Sequence, residues 1–169
     1  MFGRGKSKRF IPIHTTAENL GREKCIALLG FHPITGCDSV SAFYGRGKKH
    51  AWEVWNKFPA VTEAFTYISQ APDSIPENIM SLVEQFVVRL YSNTLENVTT
   101  VNKARFELFQ FGGNDFDHLP PTQNALKHHV QRAAYTGGHI WGQALQKCPE
   151  IPSTLLLGYE MKEDKLQPL

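Results

Sequence analysis
The sequence predicts a mainly α-helical domain with at most one short strand, and two periodic stretches carry that expectation. Ile79, Leu82, Val83, Phe86, Val87 and Leu90 recur at offsets 0, 3, 4, 7, 8 and 11, which is one face of a helix. Behind the start signal Pro120-Pro121, the residues Leu126, Val130, Ala133, Gly137 and Trp141 mark a second long helix, with a kink expected at Gly137-Gly138.

The remaining elements are shorter. Phe10-Ile11-Pro12-Ile13 is the one candidate strand, with Pro12 restricting it to an edge or a strand start. Thr15 or Thr16 would cap a helix running to Leu20, which Gly21 stops. Arg22 to Leu29 reads as a second helix closed by Gly30 and Pro33. Lys49 to Phe58 and Val61 to Ile68 read as two more, separated at Pro59. Val101, Ala104, Leu108 and Phe111 form a weaker helical face ended by Gly112-Gly113. A flexible basic arm over residues 1–9, one domain over 10–160 and a frayed polar tail over 161–169 complete the organisation.

A chain of 169 residues, 41% hydrophobic and 11% aromatic, can bury a core. It contains no run near the ~18 apolar residues of a membrane span, so no membrane partner is expected. Its basic start lacks the apolar segment of a secretory signal. Cys25, Cys37 and Cys148 are odd in number and widely spaced, which argues against a disulfide framework and for a reducing, intracellular setting. The net charge of +2 hides an asymmetry. Met1 to Lys57 holds ten basic against four acidic residues, and the remainder holds 8 against 12. A basic front third fits a phosphate-facing surface.

Chemistry concentrates between Gly36 and Trp55. Gly45 and Gly47, followed by Lys49 and Ala51, lead directly into a helix. Two glycines at that spacing let the backbone turn sharply and approach a ligand. Helix-start amides then face outward, where the dipole favours an anion. Arg46, Lys48, Lys49 and His50 surround the same point. The pattern would hold one or two phosphates of a nucleic-acid backbone without reading bases. The competing reading is a plain helix–turn–helix loop with solvated lysines. Trp52, Trp55 and Phe58, at offsets 0, 3 and 6, read as core rather than as base-stacking rings. His128 and His129 are adjacent on a helix and point about 100° apart, so they cannot chelate together; they read, with His118 and His139, as surface or core residues. Cys37 reads as a buried thiol.

Leu28-Leu29-Gly30, Gly36-Cys37-Asp38 and the stretch Gly45 to Ala51 resemble the internal region of the flap-endonuclease superfamily of structure-specific 5′ nucleases. Phe10 to Trp55 also looks like a subgroup of animal proteins associated with mobile elements, as do Leu119-Pro120-Pro121-Thr122 and Ala133-Ala134-Tyr135. The resemblance implies the C-terminal helical part of a PIN-like α/β domain, in which the Gly-x-Asp ends a strand. It implies that Asp38 matches a ligand of catalytic Mg2+ or Mn2+. It further implies that Gly45, Gly47, Lys48 and Lys49 grip a DNA backbone, with a monovalent cation at the hairpin, and that the chain works in the nucleus. The chain departs from the family in its carboxylates. Only Glu18 and Glu23 precede Asp38, both in predicted helices, and Ser39-Val40-Ser41 stands where an aromatic or second acid usually follows. One carboxylate cannot hold two magnesium ions. A turn or capping role for Asp38 therefore competes with metal binding. The expectation is a DNA-binding, nuclease-like module that does not cut DNA as an isolated chain. The alternatives are a metal-dependent nuclease completed by further sequence or a partner protein, and a helical protein-interaction domain.

Overall fold
Helices build more than half of the computed structural model, which describes residues 10–95, 97–112, 116–155 and 157–169. They are α1 (Ile13–Leu20), α2 (Arg22–Ile34), α3 (Lys48–Lys57), α4 (Val61–Gln70), α5 (Glu77–Tyr91), α6 (Val101–Gly112) and α7 (Gln123–Ala134). A 3-10 turn, Phe116–His118, precedes α7, and a π-helical segment, Tyr135–Trp141, continues it. The short strands β1 (Tyr159–Lys162) and β2 (Lys165–Pro168) close the order. No helix among the described residues is long and apolar enough to cross a membrane. The basic arm expected over residues 1–9 lies outside the described residues.

The periodic face of α5 is its buried one: Ile79, Val83, Phe86, Val87 and Leu90 are inaccessible to solvent, and Leu82 is half-buried. Met80, Glu84 and Val88 are buried as well, so α5 runs through the centre of the core rather than along its edge. Glu84 is a charged residue in that core. Its Oε2 accepts from Val101 N at 3.0 Å and its Oε1 from Gln123 Nε2 at 2.7 Å. An anion at the first amide of α6 meets the positive end of that helix, so one side chain ties α5, α6 and α7 together.

The sequence reading places the end of α2 too early. Gly30 and Pro33 both lie inside the helix, which continues to Ile34. Gly30 is a contact residue: an added Cβ would collide with Phe65 O of α4. Pro33 in the last turn has no N–H to offer Leu29 O, and Gly137 packs its backbone against that carbonyl, with Pro33 Cγ beside it. The expected disturbance at Gly137-Gly138 is therefore real and has a form. The α-turns of α7 widen into a π-helix from Tyr135, and the glycines seat it against α2 and Pro72.

Two further expectations are corrected. Phe10 to Ile13 form no strand; α1 begins at Ile13, and Thr16 bonds back to Pro12 O instead of capping. The polar tail is ordered as an antiparallel hairpin. Glu163 and Asp164 take positive φ values of 50° and 59° in its two-residue turn. Arg132 Nη1, from the buried side of α7, donates to Gly158 O at 3.0 Å and to Leu169 O at 2.9 Å, fastening both ends of that hairpin.

Candidate nucleic-acid interface
Side chains of α2 and α3 meet with the two helices running in opposite directions. Lys24, early in α2, donates to Asn56 Oδ1 late in α3, while Lys48 at the start of α3 reaches the end of α2. Between them Phe31 stacks on Trp55 at 4.9 Å and meets Trp52 edge-on at 5.8 Å. Trp55 is inaccessible to solvent and donates from Nε1 to Thr62 Oγ1. Arg89 covers Phe58 at 4.2 Å. Trp52, Trp55 and Phe58 are core and flank, as their spacing predicts.

The connection from Thr35 to Gly47 carries the residues of interest. Gly36 has φ +97°, and a side chain there would strike Ala42, so only glycine fits. Cys37 and Val40 then exchange backbone hydrogen bonds, Cys37 N to Val40 O at 2.8 Å and Val40 N to Cys37 O at 3.3 Å. Asp38 and Ser39 form the exposed tip of this tight turn. A helix, α2, leads into Gly36-Cys37-Asp38, where the family resemblance implies a strand. Asp38 therefore occupies a turn. Among the described residues no three His, Cys, Asp or Glu side chains converge as a metal cluster. Cys37 is half-buried, with Sγ 3.5 Å from Ser39 Oγ. His32 is the titratable group that senses Asp38. Its imidazole is held below the usual histidine range by burial first and Lys48 second, against the opposing pull of the Asp38 carboxylate.

Helix α7 anchors the same connection from below. His129 Nε2 lies 2.8 Å from Ile34 O, which makes it the protonated nitrogen and leaves Nδ1 facing Ser41 Oγ at 3.5 Å. Phe43 packs on the His129 ring at 4.9 Å. Ser39 Oγ meets Thr136 Oγ1 at 3.1 Å, and Tyr159 Oη donates to Ser39 O at 3.2 Å. From sequence, His129 reads only as a surface or core residue. No local pattern tied it to a turn some ninety residues away, because that pairing exists only once α7 packs on α2.

The six residues singled out around the glycine pair divide into three groups. Gly45 (φ +66°) and Gly47 are exposed, with open space around both. Lys49 is exposed and Arg46 half-exposed, its guanidinium 4.9 Å over the Tyr91 ring. Lys48 and His50 turn inward. The Lys48 ammonium donates to His32 O at 2.7 Å, Thr35 Oγ1 at 2.8 Å and Gly36 O at 2.6 Å. Three acceptors use all three of its protons, so the expectation that Lys48 faces a phosphate does not fit this arrangement. Partial burial lowers its pKa, with Cys37 pulling the other way. His50 Nε2 is 3.1 Å from Leu90 O and ties α3 to the end of α5. Helix α3 begins on Gly47 with no side-chain cap and no acid in its first turn. No protein-family model, curated protein or solved structure matches the chain. The likeness to flap endonucleases therefore rests on the residues themselves.

Proposed function
We propose that this chain is a nucleic-acid-binding module that holds the sugar-phosphate backbone of DNA at the Gly45–Lys49 loop and the first turn of α3, without cutting it. The observation that carries the reading is the start of α3. It is uncapped and free of acidic residues, and two glycines with open space lead into it. Helix-start amides of that kind attract anions, and Lys49 and Arg46 add positive charge. Lys48 and His50 contribute differently: by bonding inward they hold the loop in one shape before any ligand arrives. The Gly36–Asp38 turn supports this loop, and Asp38 alone cannot assemble a two-metal centre. A nuclear location is part of the same proposal.

The test is binding of unrelated duplex sequences, followed by fluorescence anisotropy over a range of salt. Backbone contacts give affinities that differ little between sequences and fall linearly on a log–log plot against salt. Binding that ignores salt, or no binding at low salt, would defeat the reading and leave the hairpin as a structural or protein-docking element.

A further inference from the structure
Helix α1 buries none of its residues. Its apolar positions Ile13, Ala17 and Leu20 recur at offsets 0, 4 and 7 and so share one face. Ile13 is nevertheless 77% exposed, and only Leu20, beside Gly21, is half-buried. Phe10 and Ile11 lead into the helix at 82% and 56% exposed. The same chain buries Phe31, Phe65 and Phe86 entirely or nearly so. The start of α1 is therefore an apolar knob left in water, and such a patch marks an interaction surface.

A surface that complements it lies on the same chain. A groove of about 540 Å³ runs between the first turn of α2 and α4, with mostly apolar walls that include Thr62, Thr66, Tyr67 and Ala71. Glu23 and Glu63 stand exposed on its rim. The knob has the opposite charge. His14 is exposed beside it, and Lys6, Lys8 and Arg9 precede Phe10 in the sequence.

The knob does not fill its own groove, since Phe10, Ile11 and Ile13 are all exposed. Helix α1 is held on α2 instead, where Cys25 Sγ donates to Ala17 O at 3.6 Å. Only Gly21 joins the two helices, and so short a connection gives α1 no slack to swing across to α4 while that contact holds. Two surfaces of matching polarity and opposite charge on one chain close a symmetric pair, because the same contact is then made twice.

We infer that the chain forms a two-fold dimer in which Phe10, Ile11 and Ile13 of each copy enter the groove between α2 and α4 of the other. The inference is independent of the DNA reading, since neither surface includes the Gly45–Lys49 loop.

Sedimentation velocity of the whole chain tests it, over a dilution series reaching roughly 100 μM, where a pair of small contacts associates. The parent should pass from monomer to dimer along the series. A knob variant, Phe10→Glu with Ile13→Glu, and a groove variant, Thr66→Lys, should each stay monomeric. An equimolar mixture of the two variants should associate again, because the knob of one and the groove of the other are intact. Thr66→Val keeps the groove apolar and should dimerise as the parent does, which separates loss of the contact from loss of the fold. A parent that is monomeric at every concentration would overturn the inference and leave both surfaces to a different protein partner. So would a knob or groove variant that dimerises as the parent does, or a mixture that stays monomeric.

Discussion

Lys48 Nζ lies 2.6 Å from Gly36 O, so the first residue of one helix closes the carboxyl end of another. The contact places a cation where the last carbonyls of α2 lack helical partners. It also links the two glycine-marked segments, Gly36–Asp38 and Gly45–Gly47, into one rigid loop. Lys48→Met should destabilise the fold by about 1–2 kcal/mol, since it removes three hydrogen bonds at a half-exposed site. Lys49→Met, on the exposed side of the same turn, should change stability by less than about 0.5 kcal/mol. Urea unfolding of the two variants checks the contrast, and equal losses would mean that the inward bonds of Lys48 are not formed in solution.

Glu84 gives a second stability prediction. Glu84→Ala leaves Val101 N without its acceptor in a buried place and removes the part-buried bond from Gln123 Nε2, which should cost about 2–4 kcal/mol. Glu84→Gln retains an acceptor oxygen and should cost clearly less. Thermal unfolding of both variants decides whether the α5–α6–α7 tie depends on the carboxylate.

Acid should weaken the fold through His129. Burial, the largest effect, holds its imidazole below the usual histidine value, assisted by nearby Arg132 and opposed by the bond to Ile34 O. The unfolded chain therefore takes up a proton at higher pH than the folded one. The contribution is fully present above the unfolded value of about 6.5 and is lost as pH falls from there toward the lowered folded value. His129→Gln should flatten the stability–pH curve over that window. His32, lowered for the same first reason, leaves a residual slope. A curve unchanged by the substitution would place the titration elsewhere.

Catalysis offers a sharper negative. With Asp38 on the exposed tip of a turn and no metal-holding cluster among the described residues, the purified chain should leave flapped and branched DNA intact in Mg2+ or Mn2+. Cleavage that Asp38→Ala abolishes would support a nuclease completed through that residue.

Much of the helical frame is legible in the sequence, because amphipathic periodicity and Pro or Gly punctuation are local signals. The α5 face, the break at Pro59 and the disturbance at Gly137-Gly138 all fall where those signals put them. The errors are tertiary. Gly30 looks like a helix end but is a contact with Phe65, and Pro33 is tolerated because Gly137 packs on the defect it creates. The tail looks frayed because its strands are exposed along nearly their whole length. What orders them is Arg132, buried far back in α7. At the candidate site the exposed loop and its glycines were readable. The inward turn of Lys48 was not, since adjacent lysines at a helix start look alike until the end of α2 lies beside one of them.

If Arg46 and Lys49, rather than Lys48, meet the DNA backbone as proposed, the salt dependence of duplex binding registers it. The slope of log Kobs against log salt should flatten by about one to two charges when Arg46→Gln and Lys49→Gln are combined. It should keep its parent value in Lys48→Gln, even if that variant binds somewhat more weakly. A slope that Lys48→Gln flattens, while the Arg46 and Lys49 substitutions leave it unchanged, would mean that Lys48 is the residue facing the phosphates.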